Sequence, residues 1–478
     1  MAGQGFLLNG SWVTEGRAAQ IRSPFDGSVV GETYEAKAEH LEEGISASVR
    51  AFEITRKMRP EERRETLLAV AQGIAERKEE FTNLIALEAG KPVRTARVEV
   101  DRAIFTFTLA AEEALELHNK DEVLRLHTDL NPGSPVRTGV VRRFPIGPIA
   151  AITPFNFPLN LVAHKLAPAM AVGCPVVLKP APQTPLTALK LAALIQDSGL
   201  PAGALNVLPM SNEVAARLVA DDRLKMLSFT GSAAVGWQLK ALSGKKRVVL
   251  ELGGNAACII AEDADTEDAA TRCAVGGFSY AGQSCISVQR IFVQRKAFPQ
   301  LIDALVPKVE ALKCGDPLDE TTDVGPLIRE SDAARVEEWI SEAVRSGAKL
   351  LCGGKRIMDG RGIEPAVLTN TSPEQRVNCE EIFGPVVTVE PYDTFDEALR
   401  GVNATRYGLQ AGIFTKSERY IAHAFDELEV GGVIVNDVPT YRSDQMPYGG
   451  VKDSGLGREG VKYAMEEMME MKVLVSRS

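Results

Sequence analysis

The chain has 478 residues, of which 45% are hydrophobic and 25% charged, so it is long enough for two or three domains and has an ordinary globular composition. Its 54 Lys and Arg against 64 Asp and Glu give a formal net charge of −10, which argues against nucleic acid and anionic membranes as partners. Seven widely spread cysteines, odd in number and without a Cys-x-x-Cys pair, favour reduced thiols in the cytoplasm over disulfides or a metal site.

The N-terminal part of the chain is predicted to be helical. Its first residues have neither the basic region nor the apolar core of a signal peptide. Apolar residues recur at helical spacing at 62–77, 81–89 and 95–117. The pattern becomes strand-like at 121–143, around the turn-forming residues Asn, Pro, Gly and Ser at 131–134, and this predicts a β-hairpin.

Strands and helices alternate from residue 149 onward. The most apolar stretch, 161–178, is interrupted by His164, Lys165 and two prolines, so it predicts a buried helix and strand rather than a membrane span. Another helix is predicted to begin after Thr184, which would cap it, with a proline in its first position. The repeated β-α-β-α order predicts an α/β fold with a doubly wound parallel sheet, followed by a second α/β unit from 255 to about 435.

Cys285 is the candidate nucleophile. It lies between Ser284 and Ile286 and follows a stretch of small residues that lets the backbone come close to a ligand. A cysteine attacks as its thiolate, so it needs local positive polarity or a base. The alternative is a buried structural thiol, which describes most cysteines.

Two further side chains could serve the same chemistry. Glu251 ends a predicted strand before Gly253 and Gly254, so it would lie at the carboxyl edge of the sheet, where α/β proteins bind ligands. It could act as a general base, or it could be a salt-bridged or helix-capping carboxylate. Asn156 lies between Pro154 and Pro158, and its amide could donate to an oxyanion; on the residues alone, a turn-stabilising role is preferred.

No Gly-x-Gly-x-x-Gly follows a predicted strand. Thr230, Gly231 and Ser232 stand instead between a strand and a helix, where a pyrophosphate could bind at the helix N-terminus. The alternative is an ordinary helix cap, because Thr-Gly-Ser is a common turn.

The segments 154–158, 251–255, 282–287 and 380–385 together resemble the aldehyde dehydrogenase superfamily, and the similarity runs through essentially the whole chain. The resemblance implies a nucleophilic Cys285, with Asn156 and the Cys285 backbone N–H as oxyanion donors and Glu251 as the base that activates water. It implies a Rossmann-like cofactor domain at 1–122 and 142–252, an α/β catalytic domain at 253–446, and a small β oligomerisation arm at 123–141 and 465–478. Residues 447–464 would return to the cofactor domain, and the protein would be a homodimer or homotetramer.

The resemblance also implies a cofactor, NADP or NAD. Lys179 matches the family's adenosine-ribose site, and Pro182 stands where many NAD-preferring relatives carry an acidic residue, so exclusive use of NAD is not expected. Glu381 and Phe383 resemble the pair that holds the nicotinamide ribose. The implied cofactor-binding residues are Lys179, Ser232, Thr230, Gly231, Leu252, Glu381, Phe383 and Phe155.

A small aldehyde is the implied substrate. Members that take apolar aldehydes fill the positions of Arg102, Asn160 and His164 with apolar or aromatic side chains, so a hydroxylated or anionic aldehyde is expected here. The alternative is that Arg102 pairs with Glu99 or Asp101 at the surface. The residues assigned to the substrate pocket are Arg102, Phe157, Asn160, His164, Ser284, Ile286, Arg442 and Tyr448.

The segment 437–452 is similar to the lactaldehyde and non-phosphorylating glyceraldehyde-3-phosphate branch of the superfamily. Ser284 stands where phosphate-binding relatives tend to carry arginine, which favours an unphosphorylated substrate. Two alternatives stay open. One is a CoA-acylating semialdehyde dehydrogenase, whose members typically lack the base at the Glu251 position. The other is a binding or structural protein that has kept the fold without turnover.

Overall fold

The computed structural model describes residues 3–118, 121–127 and 136–477. The chain begins with two antiparallel strand pairs, which the periodicity did not reveal, and continues with four helices that confirm the helical prediction. These elements are β1 (Phe6–Leu8), β2 (Ser11–Val13), β3 (Arg17–Arg22), β4 (Val29–Glu35), α1 (Ala38–Thr55), α2 (Pro60–Glu76), α3 (Lys78–Ala89) and α4 (Val93–His118). Within the described ranges, none of the helices is both long enough and apolar enough to cross a bilayer.

Two long strands and an alternating β/α region follow, and the alternation agrees with the sequence prediction. The elements are β5 (Glu122–His127), β6 (Val136–Pro145), β7 (Ile149–Ile152), α5 (Asn160–Val172), β8 (Val176–Lys179), α6 (Pro185–Asp197), β9 (Leu205–Val207), α7 (Asn212–Ala220), β10 (Met226–Thr230), α8 (Ala233–Leu242) and β11 (Arg247–Glu251). The turn predicted at 131–134 lies outside the described residues.

The second β/α region again confirms the alternation. It contains β12 (Ala257–Ile260), α9 (Thr266–Phe278), β13 (Arg290–Gln294), α10 (Phe298–Glu310), α11 (Glu330–Arg345), β14 (Lys349–Cys352), β15 (Arg356–Ile357), β16 (Gly362–Ile363), β17 (Ala366–Thr369), α12 (Arg376–Cys379), β18 (Val386–Tyr392), α13 (Phe395–Asn403), β19 (Tyr407–Gly408), β20 (Gln410–Phe414), α14 (Glu418–Glu427) and β21 (Gly432–Val435). The C-terminal elements are β22 (Val451–Lys452), β23 (Gly455–Leu456), α15 (Val461–Glu467) and β24 (Met469–Arg477).

Two separate sheets form the frame. The first has the order β2-β1-β9-β8-β7-β10-β11-β23, and its strands from β9 to β11 are parallel. The second has the order β14-β17-β18-β13-β12-β20-β21 and is parallel except at β14. Each sheet has apolar residues packed on it in its own large core cluster, as expected for parallel strands covered by helices. The α/β class with a Rossmann-like sheet is therefore confirmed.

A third sheet, with the order β24-β6-β5, contains the predicted hairpin strands and the C-terminal strand. We call it the arm sheet. Its strand β6 continues to Pro145, beyond the predicted arm boundary at 141, and β24 begins only at Met469 because α15 occupies 461–467.

Two buried carboxylates cap the N-termini of α6 and α5, and α5 carries the site residue Asn160. Glu88 accepts hydrogen bonds from the backbone N–H groups of Leu186 (3.0 Å) and Thr187 (3.0 Å) at the start of α6. Thr184 occupies the predicted N-cap position, with Pro185 first in the helix, but its hydroxyl accepts no capping bond, because the Glu88 carboxylate from α3 accepts from the N–H groups there instead.

Glu99 does the same for α5. One of its oxygens accepts from the N–H groups of Leu159 (2.9 Å) and Asn160 (3.1 Å), and the other forms a fully buried ion pair with Lys91. The Lys91 ammonium lies 3.6 Å from the centroid of the Phe157 ring. These contacts fix the start of α5, directly after the Asn156 turn.

Candidate active site

A cavity of about 320 Å³ lies between the carboxyl ends of the first sheet's central strands and the loop before β13 of the second sheet. It is lined by every residue assigned from the sequence to the catalytic, cofactor and substrate sites except Lys179 and His164. The structure therefore brings together segments that are up to 346 positions apart, from Arg102 to Tyr448.

Cys285 reaches the cavity on a tightly packed loop. After α9 the backbone turns through left-handed conformations at Tyr280, Ala281 and Gly282 (φ 51°, 52° and 69°). A Cβ on Gly282 would lie 2.1 Å from the Gly384 carbonyl oxygen, and one on Gly254 would lie 2.3 Å from the Cys285 carbonyl oxygen. The small residues noted in the sequence are thus required because neighbouring backbone lies against the nucleophile loop.

The Cys285 thiol lies 3.1 Å from the hydroxyl of Tyr448. Burial raises the pKa of the thiol to about 11, while the Tyr448 hydrogen bond and the Arg442 charge act in the opposite direction. The resting thiol is consequently protonated at neutral pH, and reaction requires that its proton be removed.

Glu251 is a buried carboxylate without partners. It ends β11 and is 3% exposed, and neither of its oxygens has a hydrogen-bond partner among the described residues. Burial and the nearby charge of Glu459 raise its pKa well above the usual value. The alternative of a salt-bridged or capping carboxylate is wrong in this structure, because the side chain lines the cavity and has no ion pair with any residue that the structure describes.

Asn156 connects the first sheet to the nucleophile loop. It follows β7, and its Nδ2 donates a 3.0 Å hydrogen bond to the carbonyl oxygen of Gln283, two residues before the cysteine. Its Oδ1 is buried without a partner in the described part of the chain. The Asn156 amide therefore lies against the backbone of the nucleophile loop.

The groups at the opposite end of the cavity suit a dinucleotide. Thr230, Gly231 and Ser232 precede α8, and the Thr230 hydroxyl is buried without a partner in the described ranges. Glu381 accepts from the Gly254 N–H (3.0 Å), and burial raises its pKa to about 7. Phe383 lies edge-on to Phe155, with ring centroids 5.9 Å apart. Free donors at a helix N-terminus and a carboxylate match phosphate and ribose hydroxyls, respectively.

Lys179 ends β8 but does not line this cavity. It is buried, and burial lowers the pKa of its ammonium. Its assignment to an adenosine ribose stays a prediction. Asp332 and Arg335 of α11 do line the cavity near Glu381 and were missed, because a polar pair on an amphipathic helix has no distinctive sequence signal.

Arg102 and Arg442 supply positive charge at the substrate end. Arg102 lines the cavity and donates from Nη2 to Asp444 Oδ1 (2.6 Å), so the surface pairing with Glu99 or Asp101 considered above is wrong. Arg442 donates from Nη2 to Glu459 Oε2 (3.2 Å), and its Cζ lies 3.7 Å from the Tyr448 ring centroid.

His164 was wrongly assigned to the pocket wall. Its Nε2 lies 3.0 Å from Asp444 Oδ1 in the interior, one turn after Asn160, which does line the cavity. Burial, together with the Arg442 charge, lowers the pKa of the imidazole, although Asp444 opposes this. Asp444 also accepts from the Thr106 hydroxyl (3.1 Å). Sequence reasoning missed this acid, although a half-buried Arg102 calls for a counter-charge.

Glu459 forms a second buried charge cluster. It accepts from Lys165 Nζ (3.1 Å) as well as from Arg442. Although burial alone would raise it, Lys165 and Arg442 hold the pKa of Glu459 at about 2. Glu459 is therefore permanently ionised at neutral pH. The part of the chain that the structure describes contains no group of three or more His, Cys, Asp or Glu side chains able to hold a metal ion.

Known proteins share this arrangement over the whole chain. The model of the aldehyde dehydrogenase family matches residues 12–474. The 3-sulfolactaldehyde dehydrogenase of Priestia aryabhattai is 43% identical, covering 98% of this chain and 97% of the relative.

Two solved structures are similar in fold and sequence. Aldehyde dehydrogenase 21 from Physcomitrella patens, in complex with its reaction product succinate, has a TM-score of 0.95 and 44% identity, covering 99% of this chain and 98% of that one. The glyceraldehyde-3-phosphate dehydrogenase of Methanocaldococcus jannaschii, complexed with NADP, has a TM-score of 0.92 and 38% identity, covering 98% and 100%. With its sequence, its sheets and its cavity all in agreement, this chain belongs to the aldehyde dehydrogenase family.

Proposed function

We propose that the protein oxidises a small polar aldehyde to its carboxylic acid, with Cys285 as the nucleophile. One observation carries the proposal: the Cys285 thiol, the Asn156 amide and the unpartnered carboxylate of Glu251 line the same cavity. Acyl chemistry on a carbonyl requires a nucleophile, an oxyanion donor and a base that is not engaged in a structural contact.

In the first half of the reaction, the Cys285 thiol loses its proton to a base in solution, its Sγ bonds to the aldehyde carbon, and the carbonyl π electrons pass to the oxygen, which becomes an oxyanion. Asn156 Nδ2 and the Cys285 backbone N–H donate hydrogen bonds to that oxyanion. A bound NAD(P)⁺ would supply the acceptor for the hydride that leaves the former aldehyde carbon. Cys285 is then held in a thioester.

Glu251 acts in the second half. Its carboxylate takes a proton from water as the water oxygen attacks the thioester carbon, and the Cys285 sulfur leaves as a thiolate. A raised pKa suits this task, since a carboxylate with an ordinary pKa would be a weak base for water. Glu251 therefore favours release to water over release to CoA.

The cofactor would be held by residues on both sheets. The N-terminus of α8 with Thr230, Gly231 and Ser232 would take the pyrophosphate, and Leu252 would pack beside it. Glu381, Phe383 and Phe155 would hold the nicotinamide ribose, and Lys179 the adenosine ribose. The exposed Pro182 adds no carboxylate to repel a 2′-phosphate, so NADP and NAD both fit.

The substrate end of the cavity favours an oxygen-rich or anionic aldehyde. Arg102 and Arg442 line it together with Asn160, while Phe157, Ser284, Ile286 and Tyr448 complete the wall. A guanidinium that is partly removed from water is stabilised when a substrate oxygen pairs with it. One relative is named for 3-sulfolactaldehyde and another was solved with its reaction product succinate, and both compounds agree with this class of substrate.

The arm sheet supports a homo-oligomer, either a dimer or a tetramer. Val123, Met471 and Leu474 on this sheet are 67%, 70% and 70% exposed, and burying such residues against a second copy is favourable. We also propose the domain limits given by the sequence, with the arm extended to Pro145, and a cytoplasmic location.

The nucleophile assignment is tested by Cys285→Ala. We expect NAD(P)H formation from glycolaldehyde or lactaldehyde, followed at 340 nm, to fall below the detection limit while NADP⁺ binding is unchanged, because only the covalent step is lost. Cys379→Ala, which removes a thiol on a short helix outside the cavity, is the matched control and should keep its activity. Activity of more than a few per cent in Cys285→Ala would contradict the proposal.

A further inference from the structure

Tyr448 has a hydroxyl whose one polar partner, within the described ranges, is the nucleophile. The side chain is 2% exposed, and its oxygen lies 3.1 Å from Cys285 Sγ. The ring packs with Ile286 and Leu409 in a small apolar cluster beside the thiol. A phenylalanine would make the same apolar contacts, so packing alone does not account for the hydroxyl.

The position of this ring is fixed by two sets of contacts. Tyr448 and Glu459 exchange backbone hydrogen bonds, with N···O distances of 2.9 and 2.7 Å. The Arg442 guanidinium lies over the ring face, 3.7 Å from the centroid, and is itself held by Glu459 Oε2 at 3.2 Å. A cation on the ring face polarises the phenol and makes its O–H a better donor.

The phenol keeps its proton when the cysteine loses one. Burial and the adjacent Cys285 raise the pKa of Tyr448 well above its usual value. A thiolate can only accept a hydrogen bond, whereas a thiol can act as a weak donor or a weak acceptor. The contact between the two side chains is therefore strongest in the ionised state of Cys285.

We propose that Tyr448 is a catalytic residue whose hydroxyl donates a hydrogen bond to the Cys285 thiolate and thereby increases the amount of reactive nucleophile at neutral pH. Tyr448 transfers no proton, and the thiol proton leaves to a base in solution. This inference rests on the proposed function, in which Cys285 attacks the aldehyde.

The net effect on rate is favourable because the thiol is mostly protonated at neutral pH. Lowering the pKa of such a thiol by one unit raises its thiolate fraction about tenfold, while its intrinsic nucleophilicity falls only about threefold. One hydrogen bond that lowers the thiol pKa by one unit should therefore accelerate attack about threefold.

Alkylation by iodoacetamide without aldehyde or cofactor measures this step directly. The Cys285 sulfur forms a bond to carbon, iodide leaves, and the thiol proton goes to the buffer. In Tyr448→Phe we expect Cys285 alkylation, followed by peptide mass spectrometry, to slow about threefold at pH 7.5. The rate profile should move up by roughly one pH unit, so the deficit should be constant well below the parent thiol's pKa of about 11 and should shrink only as the pH passes that value.

Tyr441→Phe, an exposed residue in the same loop, is the matched control and should alkylate like the parent protein. An unchanged rate and profile in Tyr448→Phe would overturn the proposal, and so would a deficit that keeps its full size above pH 11, which would indicate altered packing. A raised KM for aldehyde with normal alkylation would assign Tyr448 to substrate binding instead. None of these outcomes affects the Cys285→Ala test, so the two assignments fail independently.

Discussion

The α4 region and the end of β11 each bury a glutamate, and the two carboxylates differ in whether their charge is compensated. Glu99 on α4 has an ion pair with Lys91 and two backbone N–H donors, so its charge is compensated. Glu251 at the end of β11 has no partner in the described residues, although it is equally hidden from water. Burying an uncompensated charge costs free energy, and the protein limits that cost by raising the pKa of Glu251.

The difference separates structural from chemical carboxylates. A compensated carboxylate stabilises the fold and has no capacity left for a substrate or for water. An uncompensated one weakens the fold when it ionises, but it is free to accept a proton. Variants that neutralise each carboxylate should therefore change different measured quantities.

Glu251→Gln should have the largest effect on catalysis. We expect turnover to fall by about two to four orders of magnitude, because an amide cannot take a proton from water. A rapid burst of NAD(P)H should remain, since acyl-enzyme formation does not need this base. Stopped-flow absorbance at 340 nm measures both phases, and Glu213→Gln on the exposed start of α7 is the control. Loss of the burst itself would mean that Glu251 acts before the thioester forms.

Glu251→Gln should not lower the free energy of unfolding. The direction of the Glu251 pKa shift determines how the stability of this variant, relative to the parent, changes with pH. The pKa of Glu251 is raised on folding, so its contribution to stability is fully present below the unfolded value of 4.5 and is lost as the pH rises through the folded value. Glu251→Gln has no carboxyl group to ionise at this position, so its stability does not fall in this way as the pH rises. Its free energy of unfolding relative to the parent should increase from pH 5 to pH 8, as measured by urea denaturation. The opposite slope would mean that a hidden cation pairs with Glu251.

Glu99→Gln should have the largest effect on stability. It leaves the buried Lys91 ammonium without its counter-charge, and breaking a buried pair from one side costs about 3–5 kcal/mol. Urea denaturation at pH 7 measures the loss. Glu112→Gln, an exposed position on the same helix, should change the free energy of unfolding by about 0.5 kcal/mol or less. Equal changes in the two variants would remove the distinction between the α4 region and β11.

Arg102 is an intermediate case, because it is paired with Asp444 and also lines the cavity. Arg102→Leu should raise KM for a polar aldehyde such as lactaldehyde by about tenfold, roughly one lost charged hydrogen bond, and should lower KM for hexanal. Arg97→Leu on the same helix, whose charge pairs with Glu79 and Glu320 outside the cavity, is the control. Equal changes for both aldehydes would exclude Arg102 from substrate contact.

Pro182→Glu should have the smallest effect, because it adds an exposed carboxylate beside the proposed adenosine-ribose site. Repulsion of a 2′-phosphate by a solvated charge is worth about 1 kcal/mol. The ratio of kcat/KM for NADP⁺ over NAD⁺ should fall about fivefold. Pro182→Gln should leave the ratio nearer to that of the parent, and an unchanged ratio in both variants would place the ribose elsewhere.

The sequence predicted the elements with strong periodicity and missed the others. The strands at the centre of both sheets and the long helices have continuous apolar faces, so their positions were readable. In contrast, β3 and β4 are largely exposed and polar, β20 contains Gln410 and Gly412, and α15 has only seven residues. Such segments take their conformation from tertiary contacts rather than from local preference.

The sequence motifs predicted which residues lie together in the site, but not which hydrogen bonds and ion pairs those residues form. The convergence on one cavity followed from motif order. The pairing of Arg102 and His164 with Asp444, and the cap that Glu88 provides for α6, join residues 98 to 342 positions apart. No local pattern specifies such contacts, because they depend on how the helices pack onto the first sheet.

The pairing of the edge strand β23 with β11 determines when, during synthesis of the chain, the surroundings of the site are complete. It pairs with β11 through Leu456 and Leu250, and through Gly455 and Glu251, although some 200 residues separate the two strands. Tyr448 and Glu459 lie on either side of it. Cys285 and Glu251 therefore precede, along the chain, the strand that completes their surroundings, and the proposed reactive centre can be assembled only after β23 has been synthesised.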